Sequence, residues 1–189
     1  AVRAARRAFN EGAWSRAAPE HRKEVLLKLA DLVAERAPEI AVMESIDCGK
    51  TVSDALDEIG GEAVTCFKWY AELADKTFGK VATTGEDALG LIVREPAGVA
   101  AAVLPWNFPF LMAVWKVATA LASGCSLILK PAEQSPLSTI YLSEVVTEAG
   151  VPAGVIATLP GLGETTGEAL GRHDDIDVIS FTGSTEVGG

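Results

Sequence analysis

Five places in this 189-residue chain combine residue types and spacing in a way that suits chemistry. Asn107 stands between Pro105 and Pro109, flanked by Trp106 and Phe108. A neutral amide walled by aromatics is a hydrogen-bond donor aimed at a substrate, or else a turn amide that binds its own backbone. Lys130-Pro-Ala-Glu133 sets an ammonium and a carboxylate three residues apart. Such a pair can hold a ribose diol, the lysine donating and the glutamate accepting; the alternative is a surface ion pair beside a turn. Two glycine clusters follow, Gly161-Leu-Gly163 with Gly167, and Gly183-Ser184-Thr-Glu-Val-Gly188. Glycine at a strand-to-helix turn lets backbone N–H groups and the helix dipole meet a phosphate, although each cluster alone also serves as a plain turn. Finally, Phe108, Met112 and Trp115 recur at helix spacing and are expected on one helix face, lining either a core or an apolar pocket. Lys116 beside them needs a partner if buried, or snorkels to solvent.

The elements that must position these residues can be read from periodicity. A strand is expected over residues 99–104, which open as a run of small and β-branched apolar residues, the composition of a strand buried on both faces. It leads through the Pro105–Pro109 turn into a helix over 110–122. Strands are also expected at 126–130, 155–159 and 178–181, with helices at 137–149 and 164–172, and a further helix starting at Ser184. Four strand–helix units in alternation specify a parallel, doubly wound sheet, with ligands at the carboxyl ends of its strands. The GxGxxG fingerprint is missing after the first of these strands.

Ahead of this part, residues from about 19 to 80 read as helical scaffold. Leu26, Leu29, Leu32 and Val33 mark an apolar face. Pro38 is expected to interrupt, Gly49 to stop the helix, Ser53 to cap the next, and Gly60-Gly61 to mark a kink. Lys80–Thr84 and Leu89–Arg94 read as a hairpin, too small to be stable alone.

Net charge is −10, which argues against nucleic acid or an anionic membrane as partner. Hydrophobic residues make up 49% of the chain, ample for a packed core. The uncharged stretch from Gly98 to Trp115 approaches membrane-spanning length, but its prolines and Asn107 would leave backbone groups unpaired in lipid. Cys48, Cys66 and Cys125 form no CxxC pair, so neither a disulfide framework nor a metal site is expected. A cytoplasmic setting fits, no signal peptide is visible, and the chain reads as cut at both ends.

Pro105-Trp-Asn-Phe-Pro109 with Trp115-Lys116, Lys130-Pro-Ala-Glu133 and Phe181-Thr-Gly-Ser-Thr-Glu-Val-Gly188 together resemble segments of the NAD(P)-dependent aldehyde dehydrogenases, in the same order. The resemblance covers nearly the whole chain. It implies a Rossmann-like parallel sheet with N-terminal helices and a hairpin of an oligomerisation sheet, a truncated form of that α/β fold. The implied division is a helical segment 1–79 of the cofactor-binding domain, an oligomerisation hairpin 80–97, and an incomplete NAD-binding domain 98–189.

By the same resemblance Asn107 donates to the oxyanion of the reacting aldehyde, and Lys116 serves proton relay. Trp106, Lys130, Glu133, Gly163, Gly167, Gly183, Ser184 and Gly188 hold the cofactor, while Phe108, Met112 and Trp115 line the aldehyde path. NAD is expected over NADP, because Glu133 would repel a 2′-phosphate. The implied partners are a small aldehyde and further copies of the chain, as dimer or tetramer. None of the cysteines matches the family's nucleophile, and neither that residue nor the general-base glutamate falls within the chain, so the chain alone is expected to be inactive. Lys68-Trp-Tyr-Ala-Glu72 and Val81-Ala-Thr-Thr84 are similar to γ-glutamyl-γ-aminobutyraldehyde dehydrogenases. The alternative is a non-catalytic nucleotide-binding or assembly protein on the same half-fold.

Overall fold

The computed structural model describes residues 1–188. The chain opens on helix α1 (Val2–Glu11), closed by Gly12 in the left-handed conformation. The helical segment expected over residues 1–79 thus begins with a separate helix, whose bounds the structure supplies. Helix α2 (Pro19–Cys48) then runs for 30 residues straight through Pro38. The expected interruption is absent. A proline inside a helix costs about 3 kcal/mol, whereas each large side chain buried along this helix contributes about 1.5–3 kcal/mol. Val25, Leu26, Leu29, Val33 and Ile40 are all buried on either side of Pro38, so packing prevails. Gly49, at φ 79°, ends the helix as expected.

Thr51, rather than Ser53, caps α3 (Val52–Asp57): its Oγ1 accepts from the Asp54 amide at 3.2 Å. The kink anticipated at Gly60-Gly61 is a π turn over Glu58–Ala63, after which α4 (Val64–Ala74) continues. Strands β1 (Lys80–Ala82) and β2 (Gly90–Ile92) pair antiparallel, Lys80 opposite Ile92, as a separate two-stranded sheet. Their residues are largely exposed.

The alternating part follows. Strand β3 (Val99–Val103) leads to α5 (Pro109–Ser123), and β4 (Ser126–Lys130) to α6 (Leu137–Ala149). Strand β5 (Ile156–Thr158) is shorter than expected, and the helix after it is a π turn (Gly163–Gly167) joined to a single turn, α7 (Glu168–Gly171). Strand β6 (Val178–Phe181) precedes α8 (Thr185–Gly188). The four strands form one parallel sheet in the order β5-β4-β3-β6.

Alternation along the strands sends side chains to two faces. Ala102, Leu127 and Leu129 join Leu29, Ile40, Phe67, Phe110, Leu121 and Leu142 in the main core beneath α2, α4, α5 and α6. Val99, Ala101 and Ile128 point the other way, to Val2 and Ala5 of α1 and Leu170 of α7. The N-terminal helices therefore share a core with the sheet. Among the described residues no helix is long and apolar enough to cross a membrane.

Candidate functional site

Because the strands of the larger sheet are parallel, their carboxyl ends lie along one edge. The chain steps outward from β3 to β4 to β5, then returns to the far side of β3 for β6. Such a reversal of strand order opens a crevice at the carboxyl ends, where sheets of this class take their ligands. The turns at that edge carry Gly163 after β5, Lys130 at the end of β4, Asn107 after β3 and Ser184 after β6.

Lys130 is the last residue of a fully buried strand and is itself 2% exposed. Its ammonium meets Glu133 Oε2 at 2.9 Å, and Gln134 Nε2 donates to the other carboxylate oxygen at 3.4 Å. The surface-pair reading is therefore wrong for the lysine, although Glu133 does face solvent. The hydrogen bond from Lys130 holds the Glu133 carboxyl below its ordinary range. A buried ammonium has three donors, and Glu133 takes one, so the pair can still grip a neighbouring hydroxyl. A ribose diol suits that donor and acceptor set.

Asn107 sits in an exposed turn, Trp106–Phe108, between β3 and α5. Trp106 is likewise exposed, and its carbonyl accepts from Ser135 Oγ at 2.9 Å, which ties this turn to the one after β4. Phe108 lies outside the helix as its N-cap, at φ −137°, and offers no capping side chain. The expected stripe is thus broken: Phe108 is not on the helix face, Met112 packs partly into the main core, and Trp115 is half exposed. Trp115 and the half-buried Lys116 instead line a depression of about 500 Å³ between α4, α5 and the sheet, together with Cys66, Tyr70, Val178 and Ser180. Half-burial against the main core pushes the Cys66 thiol up to about 11.

At the glycine clusters, Gly163 and Gly167 have open space where a Cβ would stand, so a ligand can approach the backbone there. Gly183 is different: a Cβ would lie 2.5 Å from the Phe181 ring, and a Cβ at Gly188 would meet the same ring at 3.1 Å. Ser184 Oγ accepts from the Val187 amide at 3.4 Å and so caps α8, as expected of a helix start. Among the described residues no group of His, Cys, Asp and Glu could hold a metal ion.

Sequence reasoning passed over the residues that fix the Asn107 turn from below. Glu44, on the buried face of α2, is 0% exposed. Its Oε2 accepts from the Phe110 amide at 3.1 Å and from Ser138 Oγ at 3.4 Å, and its Oε1 from Lys50 Nζ at 2.9 Å. Lys50 also pairs with Glu58, and its ammonium lies 4.3 Å from the centre of the Phe108 ring. Burial alone would lower the Lys50 pKa, but its hydrogen bonds to Glu58 and Glu44 outweigh that and hold it above its ordinary value. Asp47, one turn further along α2, accepts from the Leu137 amide at 2.7 Å at the start of α6. The available signal was a carboxylate at a core position of the α2 apolar pattern, beside Ile40 and Ala41.

Residues 1–189 match the model of the aldehyde dehydrogenase family. The NADP/NAD-dependent aldehyde dehydrogenase PuuC of Escherichia coli is 52% identical over 189 residues, which cover all of this chain and 38% of that protein. The crystal structure of γ-glutamyl-γ-aminobutyraldehyde dehydrogenase from Burkholderia cenocepacia superposes with a TM-score of 0.96 at 49% identity, covering 99% of this chain and 38% of that one. An NAD+ complex of an aldehyde dehydrogenase from Bacillus cereus gives 0.96 at 42% identity, with 99% and 38% covered. The chain thus spans well under half the length of the relatives it matches. With the family model spanning every residue and close identity along the same span, the protein belongs to the aldehyde dehydrogenase family.

Proposed function

We propose that this chain supplies the cofactor-binding sheet and half of the oxyanion hole of an NAD(P)-dependent aldehyde dehydrogenase, which oxidises an aldehyde to a carboxylic acid. One observation carries the reading: strand order reverses at β3, and the turns on either side of that point bear Asn107 and the Lys130–Glu133 pair. Lys130 and Glu133 bind the adenosine ribose, with NAD preferred because the carboxylate opposes a 2′-phosphate. Trp106, Gly163, Gly167, Gly183, Ser184 and Gly188 surround the pyrophosphate. When bound, the cofactor accepts hydride from the substrate.

The chain's own catalytic contribution is the Asn107 amide, which donates to the aldehyde oxygen as negative charge develops on it. A neutral donor fixed in advance does this without reorganisation. Phe108, Met112 and Trp115 border the aldehyde path, and Lys116, half-buried at the rim of the depression described above, moves a proton at the deacylation stage. Residues 1–79 and 98–189 form the cofactor-binding domain, and the exposed β1–β2 hairpin of 80–97 joins a sheet in a second copy of the chain, as dimer or tetramer. Likeness to the Burkholderia cenocepacia structure above supports a γ-glutamyl aminoaldehyde as substrate. The 189 residues alone do not turn over aldehyde, since Cys66 packs half-buried against the main core and none of the three cysteines stands at the strand edge.

In the intact protein, Asn107→Ala should lower kcat by about 10²–10³ while leaving the KM for NAD nearly unchanged. A kcat within two-fold of the native value would overturn the oxyanion role. Retained NAD binding with no aldehyde oxidation by the native protein would favour the non-catalytic binding alternative.

A further inference from the structure

Helix α5 begins with a defect that a distant helix repairs. The first turn of any helix leaves backbone N–H groups without partners, and Phe108 at the N-cap has no side-chain acceptor to offer. The Phe110 amide is nevertheless satisfied, by a carboxylate that arrives from α2, 66 residues earlier in the chain. That carboxylate also meets the positive end of a 15-residue helix dipole. The Lys50 ammonium neutralises it from the other side and caps the face of the Phe108 ring. On the opposite flank Ser135 holds the Trp106 carbonyl. Asn107 is therefore bracketed on both sides while its own side chain remains exposed.

An ion pair with one partner fully buried, as Glu44 is, and the other largely so is a weak source of stability, because desolvation offsets most of the attraction. Its geometry, by contrast, is demanding, since removing one partner leaves a buried charge. The pair here grips backbone and ring atoms within three residues of Asn107, and a donor that must be in place before charge develops needs such a mount.

We propose that Glu44 and Lys50 are positioning residues for the Asn107 amide: their pair fixes the Phe108 end of the Trp106–Phe108 turn, opposite the hold of Ser135 on Trp106, and so sets where the oxyanion donor stands. The inference rests on the oxyanion role given to Asn107 above. Lys50 also neutralises Glu58, whose second oxygen, Oε1, is buried and has no partner among the described residues. Loss of the ammonium would leave two buried carboxylates facing each other, and the turn would loosen.

The test uses the intact protein with Lys50→Met, Lys50→Arg, Glu44→Gln, Asn107→Ala, and the double variant of Lys50→Met with Asn107→Ala. Lys50→Met should lower kcat by about 10- to 100-fold, short of the loss on deleting the amide itself. The KM for NAD should hold, because Lys130 and Glu133 make no contact with this pair. Deuterium exchange over residues 105–111 should quicken, and Lys50→Arg should restore much of both properties. The double variant should be no slower than Asn107→Ala alone, as expected of residues acting through one group. Native kcat in Lys50→Met and Glu44→Gln, or losses that multiply in the double variant, would overturn the proposal while leaving the Asn107 role standing. A parallel rise in the KM for NAD would overturn it too, in favour of general destabilisation. Full activity in Asn107→Ala would remove the oxyanion reading first and this inference with it.

Discussion

Under the proposed function, cofactor choice turns on Glu133. Its carboxylate is held ionised by Lys130 and faces solvent at the strand edge, where a 2′-phosphate would bring negative charge against it. Native protein should therefore bind NAD more tightly than NADP, and Glu133→Gln should narrow the gap, as read from the two dissociation constants. Tighter NADP binding by the native protein would contradict the assignment. Cys66 gives a second check at this scale. With its thiol near 11, the thiolate fraction at pH 8 is about a thousandth, so iodoacetamide should leave Cys66 unmodified while a free thiol reacts. Rapid labelling of Cys66 in folded protein would show that the packing around α4 is looser than described. The contact between Lys130 and Glu133 was legible in the sequence because it is local, three residues apart. Glu44 and Lys50 were not, because what they do depends on contacts with a helix some sixty residues later.

Among the elements, α1 depends on one carboxylate. Asp177, at the start of β6, accepts from the Val99 amide at 2.7 Å and from Arg6 of α1 at 2.5 Å. The bond from Val99, reinforced by Arg6, outweighs burial and lowers its pKa below the usual 3.8. A carboxyl with a depressed folded-state pKa adds stability that is fully present above its unfolded-state value and drains away as pH falls through the folded one. Asp177→Asn should thus be less stable than native protein in denaturant at pH 7, and the two should converge as pH drops below about 4. A gap that persists unchanged at pH 3 would contradict this role. Sequence reading gave α1 no boundaries of its own inside the helical segment 1–79, although Val2, Ala5 and Ala8 recur at helix spacing and are the residues it buries. It also broke α2 at Pro38, because a single residue's cost is visible in sequence and the burial that overrides it is not. The π turns at 58–63 and 163–167 were out of reach for the same reason: glycine announces irregularity without saying which kind.

For the whole molecule, alternation of apolar runs with helical patterns was enough to specify a parallel sheet. Strand order was not specified, and it is strand order that makes the crevice. The sequence steps 3, 4, 5, 6, whereas space places β6 beside β3 and leaves β5 at the opposite border. Residues from four separate turns share one edge because the strands are parallel, and the reversal opens a crevice along it. The most direct test is a crystal structure of the intact protein with NAD+ bound. The account predicts the adenosine ribose hydroxyls within hydrogen-bonding distance of Lys130 Nζ and Glu133, the pyrophosphate passing the turns at Gly163 and Ser184, and the Asn107 amide facing the nicotinamide end. A dinucleotide bound away from the carboxyl ends of β3, β4 and β6, or an Asn107 amide turned from it, would contradict the account.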